Sequence, residues 1–226
     1  MKGLGLGLAI LQVLDEERKA LGVSDEVLHR LAKPEGRALL RKLAESLVGH
    51  PLQTITKNRH GHYVITIVGR NFTGAEEISR LGATGVQVST CAEQILKSDD
   101  YHQNHRLKDG VRYEVVIIPG MEIKGGRTTA DVKAYAKRFG YAVLTAGMVP
   151  SIRLSLTNEQ MEKEMGGIWY ITGLHNPIKD SGGDPRVLSA DRCDGGSWLH
   201  AYWDRPGHGW RDYGAFAFLV PQVLNT

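Results

Sequence analysis

Two cysteines, Cys91 and Cys193, are all that the 226 residues contain, and neither has metal-like spacing around it. That argues against a disulfide-dense scaffold or a cysteine-based metal site and makes a reduced compartment the plainer expectation. No apolar run is long enough to span a bilayer, so membrane insertion is not expected and the cytoplasm is the default location. Charge is nearly balanced, with 28 Lys and Arg against 25 Asp and Glu. The formal net charge of +3 is too small and too dispersed to argue for nucleic acid. Repeats and low-complexity tracts are absent. A chain of this length can bury a core without staples, as one large domain or two small ones.

A more local absence organises the reading. After Lys179 the chain uses no Lys, Glu or Met, although all three are frequent before it. Aromatics, His, Arg, Asp and Gly crowd there instead. From Ser197 the sequence alternates: Trp198, His200, Tyr202 and Asp204 fall on one side of an extended strand, and Leu199, Ala201 and Trp203 on the other. The segment then passes through Arg205, His208, Trp210, Arg211, Asp212 and Tyr213. It closes on Ala215 to Val220, apolar on both sides and bounded by Gly214 and Pro221, which reads as a buried strand. Tyr, Trp and Arg anchors among Gly and Ser are how binding loops are composed. A merely solvated strand face is the bland alternative.

Upstream, the spacing predicts two or three short amphipathic helices within residues 1–50. The apolar start, Gly3 to Leu14, runs straight into Asp15, Glu16, Glu17 and Arg18 with no small-residue cleavage site, so it reads as a helix start. Gly3, Gly5 and Gly7 follow no strand and do not suggest a phosphate loop. Residues 51–110 form a small accessory region: a strand at His62 to Val68, a short helix or turn around Thr73 to Glu77, a strand at Thr84 to Ser89, a helix from Cys91 to Lys97, and a polar loop through His102 to Asp109. Residues 111–226 read as a strand at Val111 to Ile118, a helix capped by Thr128 or Thr129, a second helix, and a third stretch opening on a Thr157/Gln160 capping box. Short strands at Ile168 to Ile171 and Arg186 to Ala190 follow, with a turn at Asp191 to Gly196. The fold class is α+β, a small sheet presenting loops. His60, His62, His102 and His105 lack a ligand pattern, and Asn71-Phe72-Thr73 is a glycosylation sequon only in a secreted chain.

Six segments together resemble a known fold: Tyr113 to Ile118, the Thr129 helix ending at Gly140 and Tyr141, the helix through Met161, Ile168 to Ile171, Gly195 to Leu199, and Gly214 to Phe218. They resemble a C-type-lectin-like domain of the formylglycine-generating-enzyme type, as in the variable proteins of diversity-generating retroelements. The resemblance covers roughly the last half of the chain. It implies a gene whose 3′ end is rewritten by adenine-directed errors. Asn codons ending in a pyrimidine and randomised at both adenines never yield Lys, Glu, Gln, Met or Trp. His200, Tyr202, Asp204, Arg205, His208, Arg211, Asp212 and Tyr213 are all reachable from such codons; Trp198, Trp203 and Trp210 are not.

The reading that follows is a binding protein, not an enzyme, whose ligand is a macromolecule and most simply a protein. Those eight positions would contact the ligand, while Trp198, Trp203, Trp210, Phe216 and Phe218, with Leu199 and Ala201, hold the scaffold. No cofactor and no metal is called for: Asn176-Pro177 and Trp203-Asp204 lack the neighbouring carboxylates of a calcium lectin, and Cys193 is a single cysteine where the formylglycine-generating enzymes use two. A fixed-specificity carbohydrate-binding module is the first alternative. A hydrolase or transferase using His200 or His208 with Asp204 or Asp212, and Ser197 or Cys193 as nucleophile, is the second.

Overall fold

The structure, a computed structural model, describes residues 53–193, 195–205, 207 and 209–221, preceded by Asp15, Glu16, Lys19, Gly22, Ser24 and Lys33. The chain divides into two compact units, Met1–Pro51 and Leu52–Thr226. In the first, Asp15, Glu16 and Lys19 are helical, and Lys19 pairs with Asp15 at 2.7 Å. The rest of the amino-terminal helical segment lies outside the described residues. The boundary expected near residue 50 coincides with the division between units.

The boundary expected at residue 110 separates no compact units. Strand β2 (Tyr63–Val68) pairs antiparallel along its length with β4 (Arg112–Pro119), and β3 (Gln87–Val88) lies parallel to β8 (Gly196–Trp203). Backbone hydrogen bonds therefore tie the accessory region into the same sheet as the rest. With β1 (Thr56–Lys57), β5 (Tyr170–Gly173), β7 (Pro185–Cys193) and β9 (Gly214–Leu219), the strand order is β1-β2-β4-β9-β5-β7-β8-β3; β6 (Ile178–Lys179) adds to β7. The β7 strand outruns the predicted Arg186 to Ala190 because β8 pairs with it from Arg186 to Cys193.

Local chemistry sets the helices. Helix α1 (Gly74–Ala83) starts on a capping box between Thr73 and Glu76, and α2 (Thr90–Leu96) on the Ser89 hydroxyl. Helix α3 (Thr129–Lys137) is capped by Thr128, whose side chain and Asp131 satisfy each other's backbone N–H groups. Helix α4 (Met148–Ser155) carries Pro150 in its first turn, where no intrahelical N–H bond is lost. The Thr157/Gln160 capping box is present, with bonds of 3.2 and 3.0 Å, and opens a π-helical turn at Gln160–Glu164.

The polar stretch after Asp100 departs from the sequence reading. It forms a π-helical turn, Tyr101–His105, rather than a loop. Tyr101 and His105, one turn apart, are buried, and His105 Nδ1 accepts the Ala146 N–H at 3.1 Å; the polar residues between them face outward.

Alternation along the central strands gives the sheet two apolar faces. Ile171, Leu188, Ala190, Leu199, Ala215 and Ala217 join one core, with α4 residues Met148, Val149 and Ile152. Val187, Phe216 and Phe218 join the other, with Val132 and Ala136 of α3. The closing strand is thus buried on both sides, as its composition predicts.

Candidate functional site

On the second face, register brings together side chains distant in sequence. Tyr170 stands opposite Asp191, Asp191 opposite Trp198, Ser189 opposite His200 and Val187 opposite Tyr202. Because side chains on paired residues share a face, these residues form one surface. Trp198 stacks on His200 with centroids 5.1 Å apart, and His200 on Tyr202 at 6.0 Å, a column running along β8.

Beyond the end of β8, the segment leading back to β9 is strapped over this surface. Trp210 is buried against Phe216, and its Nε1 donates to Thr129 Oγ1 at 3.1 Å. The same Thr129 hydroxyl donates to Asp204 Oδ1. Arg127 and Trp210 exchange backbone contact through Trp210 N–H to Arg127 O at 2.8 Å, and Arg127 Nε donates to Trp210 O at 3.1 Å. Tyr170 Oη accepts the Arg211 N–H at 3.1 Å, and the Trp169 N–H donates to Tyr213 O at 3.0 Å.

Between strap and sheet lies a cleft of about 270 Å³ lined by Trp169, Tyr170, Tyr202, Trp210 and Tyr213, with Asp191, Arg192, Cys193, Gly209 and Arg211. Asp191 is 2% exposed at its floor. Tyr202 Oη donates to Asp191 Oδ2, while Oδ1 has no hydrogen-bond partner among the described residues. Burial pushes this carboxyl above its ordinary range, against the neighbouring Ser189 and Tyr202 hydroxyls and the charges of His200 and Arg153. Burial likewise raises the Tyr170 phenol to about 12, so this wall stays neutral near pH 7. From the other side of the sheet, Arg153 donates to the Asp191 carbonyl at 3.1 Å; its own burial lowers it to about 10, still protonated.

The structure sorts the residues expected from sequence. Arg211, Asp212 and Tyr213 are exposed, His200 is half-buried in its stack, and Arg205 is exposed with its guanidinium 3.6 Å from the Trp203 ring centroid. His208 lies outside the described residues. Tyr202 and Asp204 are half-buried and spend their polar atoms on Asp191 and Thr129, so they are partly structural rather than wholly turned to a ligand. Trp210, Phe216 and Phe218 are buried in the core, Trp198 is half-buried and stacked on His200, and Trp203 lies outside the core. It is 38% exposed at the last position of β8, past Ala201 where core contact ends, held between the guanidinium groups of Arg186 and Arg205.

Sequence reasoning missed Trp169, Tyr170, Asp191 and Arg192. Their signals were present: two adjacent large aromatics in one short predicted strand, and an acid directly after the largely apolar run Val187 to Ala190. Ser197 Oγ donates to Asn158 Oδ1 at 3.1 Å, and among the described residues no hydrogen bond joins His200 to Ser197 or to Asp204. Among the described residues, too, no cluster of three His, Cys, Asp or Glu is placed to hold a metal. A concave, aromatic cleft with few polar groups is suited to binding. Compared with known proteins, the chain matches no family model, no curated protein and no solved structure.

Proposed function

We propose that the chain is a ligand-binding protein whose lectin-like scaffold displays a diversified surface, as in the variable proteins of diversity-generating retroelements, with a protein as ligand. The observation that carries this reading is a partition within residues 196–220. Of the positions open to adenine-directed change, Arg205, Arg211, Asp212 and Tyr213 are exposed, with Arg211 and Tyr213 lining the aromatic cleft, while Leu199, Trp210, Phe216 and Phe218 are buried. Exchange of exposed residues costs a fold little, and Tyr and Arg supply much of the binding energy at protein interfaces. The lectin-like reading is further supported by the strand, two helices and short strands that the resemblance implies, present as β4, α3, α4, β5, β7, β8 and β9.

The test is to sequence the 3′ end of this gene in many individuals of its source population, together with the flanking DNA. The expected result is substitution concentrated at codons for His200, Arg205, His208, Arg211, Asp212 and Tyr213, beside an adenine-rich near-copy and a reverse-transcriptase gene. An invariant 3′ end with no such neighbour overturns the reading and turns attention to glycan binding.

A further inference from the structure

The cleft has an acceptor that its own walls leave unmet. Asp191 Oδ1 is buried without a hydrogen-bond partner among the described residues, a costly arrangement that a bound donor would relieve. Around it stand four rings. Tyr170 lies 5.9 Å from Tyr202, 6.5 Å from Trp210 and 5.8 Å from Tyr213, centroid to centroid, and Tyr202 lies 6.2 Å from Trp210. Aromatic faces attract cations, most strongly where water is excluded. The Arg192 guanidinium beside the cleft is already engaged, by Glu162 at 3.6 Å, the Ile168 carbonyl at 2.9 Å and the Trp169 ring. Arg211 is exposed, where salt and solvent screen it.

The geometry points to a cationic side chain, the ammonium of Lys or the guanidinium of Arg on the protein ligand, seated between these rings and bonded to Asp191 Oδ1. This rests on the ligand-binding reading above and gives it a chemistry. Asp191, Tyr170 and Trp210 fall outside the positions expected to vary, so variants would keep the carboxylate and two of the four rings while Tyr202 and Tyr213 change. The groups facing the carboxyl are Ser189, Arg192 and Cys193 on its own strand, Tyr170 on β5, His200 and Tyr202 on β8, and Arg153 from α4. A seated cation holds the carboxyl ionised, so binding competes with protonation of Asp191, whose carboxyl burial raises. That competition makes binding tighten as pH rises.

The experiment titrates n-butylammonium into the full chain by tryptophan fluorescence, with n-pentanol and butyrate as neutral and anionic controls. Saturable butylammonium binding at least about tenfold tighter than pentanol is expected, with none for butyrate. Asp191→Asn keeps the shape and should erase that preference. Equal binding of pentanol, a preference for butyrate, or an unchanged preference in the variant overturns the inference. Should the variant fail to fold, the wild-type profile decides: butylammonium alone should bind more tightly as the pH is raised from about 5 to about 8, and a flat profile overturns it. A cation-selective cleft with an invariant gene end would sink the diversified-surface reading and leave this one standing. A varying gene end with an unselective cleft would do the reverse.

Discussion

At Gly214 the closing strand passes under the Tyr170 ring so closely that a Cβ there would lie 2.1 Å from the ring's Cζ and 2.6 Å from Oη. The glycine is required by this approach, and the ring it admits forms a wall of the cleft. Gly214→Ala must tilt Tyr170 away and disturb its bond to the Arg211 N–H. A loss of about 1–3 kcal/mol in urea unfolding is expected, with weakened near-ultraviolet circular dichroism from the aromatic cluster. Gly82, in α1, is the contrast, because a Cβ added there would meet nothing within 4 Å. Gly82→Ala should leave stability unchanged or raise it by up to about 1 kcal/mol. Equal losses at both sites would mean that Gly214 is not a packing requirement.

At the scale of elements, the strap over the cleft depends on the first turn of α3. Thr128 caps the helix and bridges to Gly209, while Thr129 accepts from Trp210 and donates to Asp204. Thr129→Val keeps the shape but removes both bonds. We expect a loss of about 1–3 kcal/mol and faster amide hydrogen exchange confined to residues 204–213, with β7 and β8 unchanged. Exchange that rises uniformly would show that the strap does not open by itself. The same bonds imply a gradient among the candidate variable positions: replacement of Asp204 or Tyr202 removes a bond to a fixed residue, whereas replacement of Arg211 or Tyr213 removes exposed surface.

Over the whole molecule, buried titrating groups shape the pH dependence of stability. Glu77, 1% exposed, is raised by burial to about 7, against which the Arg80 charge works. Between its ordinary 4.5 and about 7 the folded chain holds a proton that the unfolded chain has released, so stability falls as pH rises, by roughly 3 kcal/mol in all. His175 is fully buried and held down to about 3, so between 6.5 and about 3 the unfolded chain binds the extra proton and stability falls as pH falls. His62 and His105, also lowered by burial, add to that acid side. Where the two windows overlap Glu77 offsets part of the acid-side loss, which therefore steepens below about pH 4.5. Urea midpoints measured across this range check it. Glu77→Gln should remove the decline on the alkaline side; an unchanged decline would show that Glu77 is not its source.

By itself the sequence determined the elements whose signals are local. The Thr73, Thr128 and Thr157 capping boxes, the alternation of β8 and the two-sided apolar run of β9 each follow from side chains within a few residues of one another. The composition around them also singled out Tyr202, Arg211 and Tyr213, which line the cleft. Tertiary structure decided what depends on register between distant strands. The pairing of Tyr170 with Asp191, and of Asp191 with Trp198, makes an acid inside an apolar strand into the floor of an aromatic cleft. Pairing of β2 with β4 likewise erased the boundary expected at residue 110, and the end of the core at Ala201 turned Trp203 outward. The physical reason is common to all three: periodicity tells which side of a strand a residue occupies, but only hydrogen-bonded register and the limits of the core decide what that side faces.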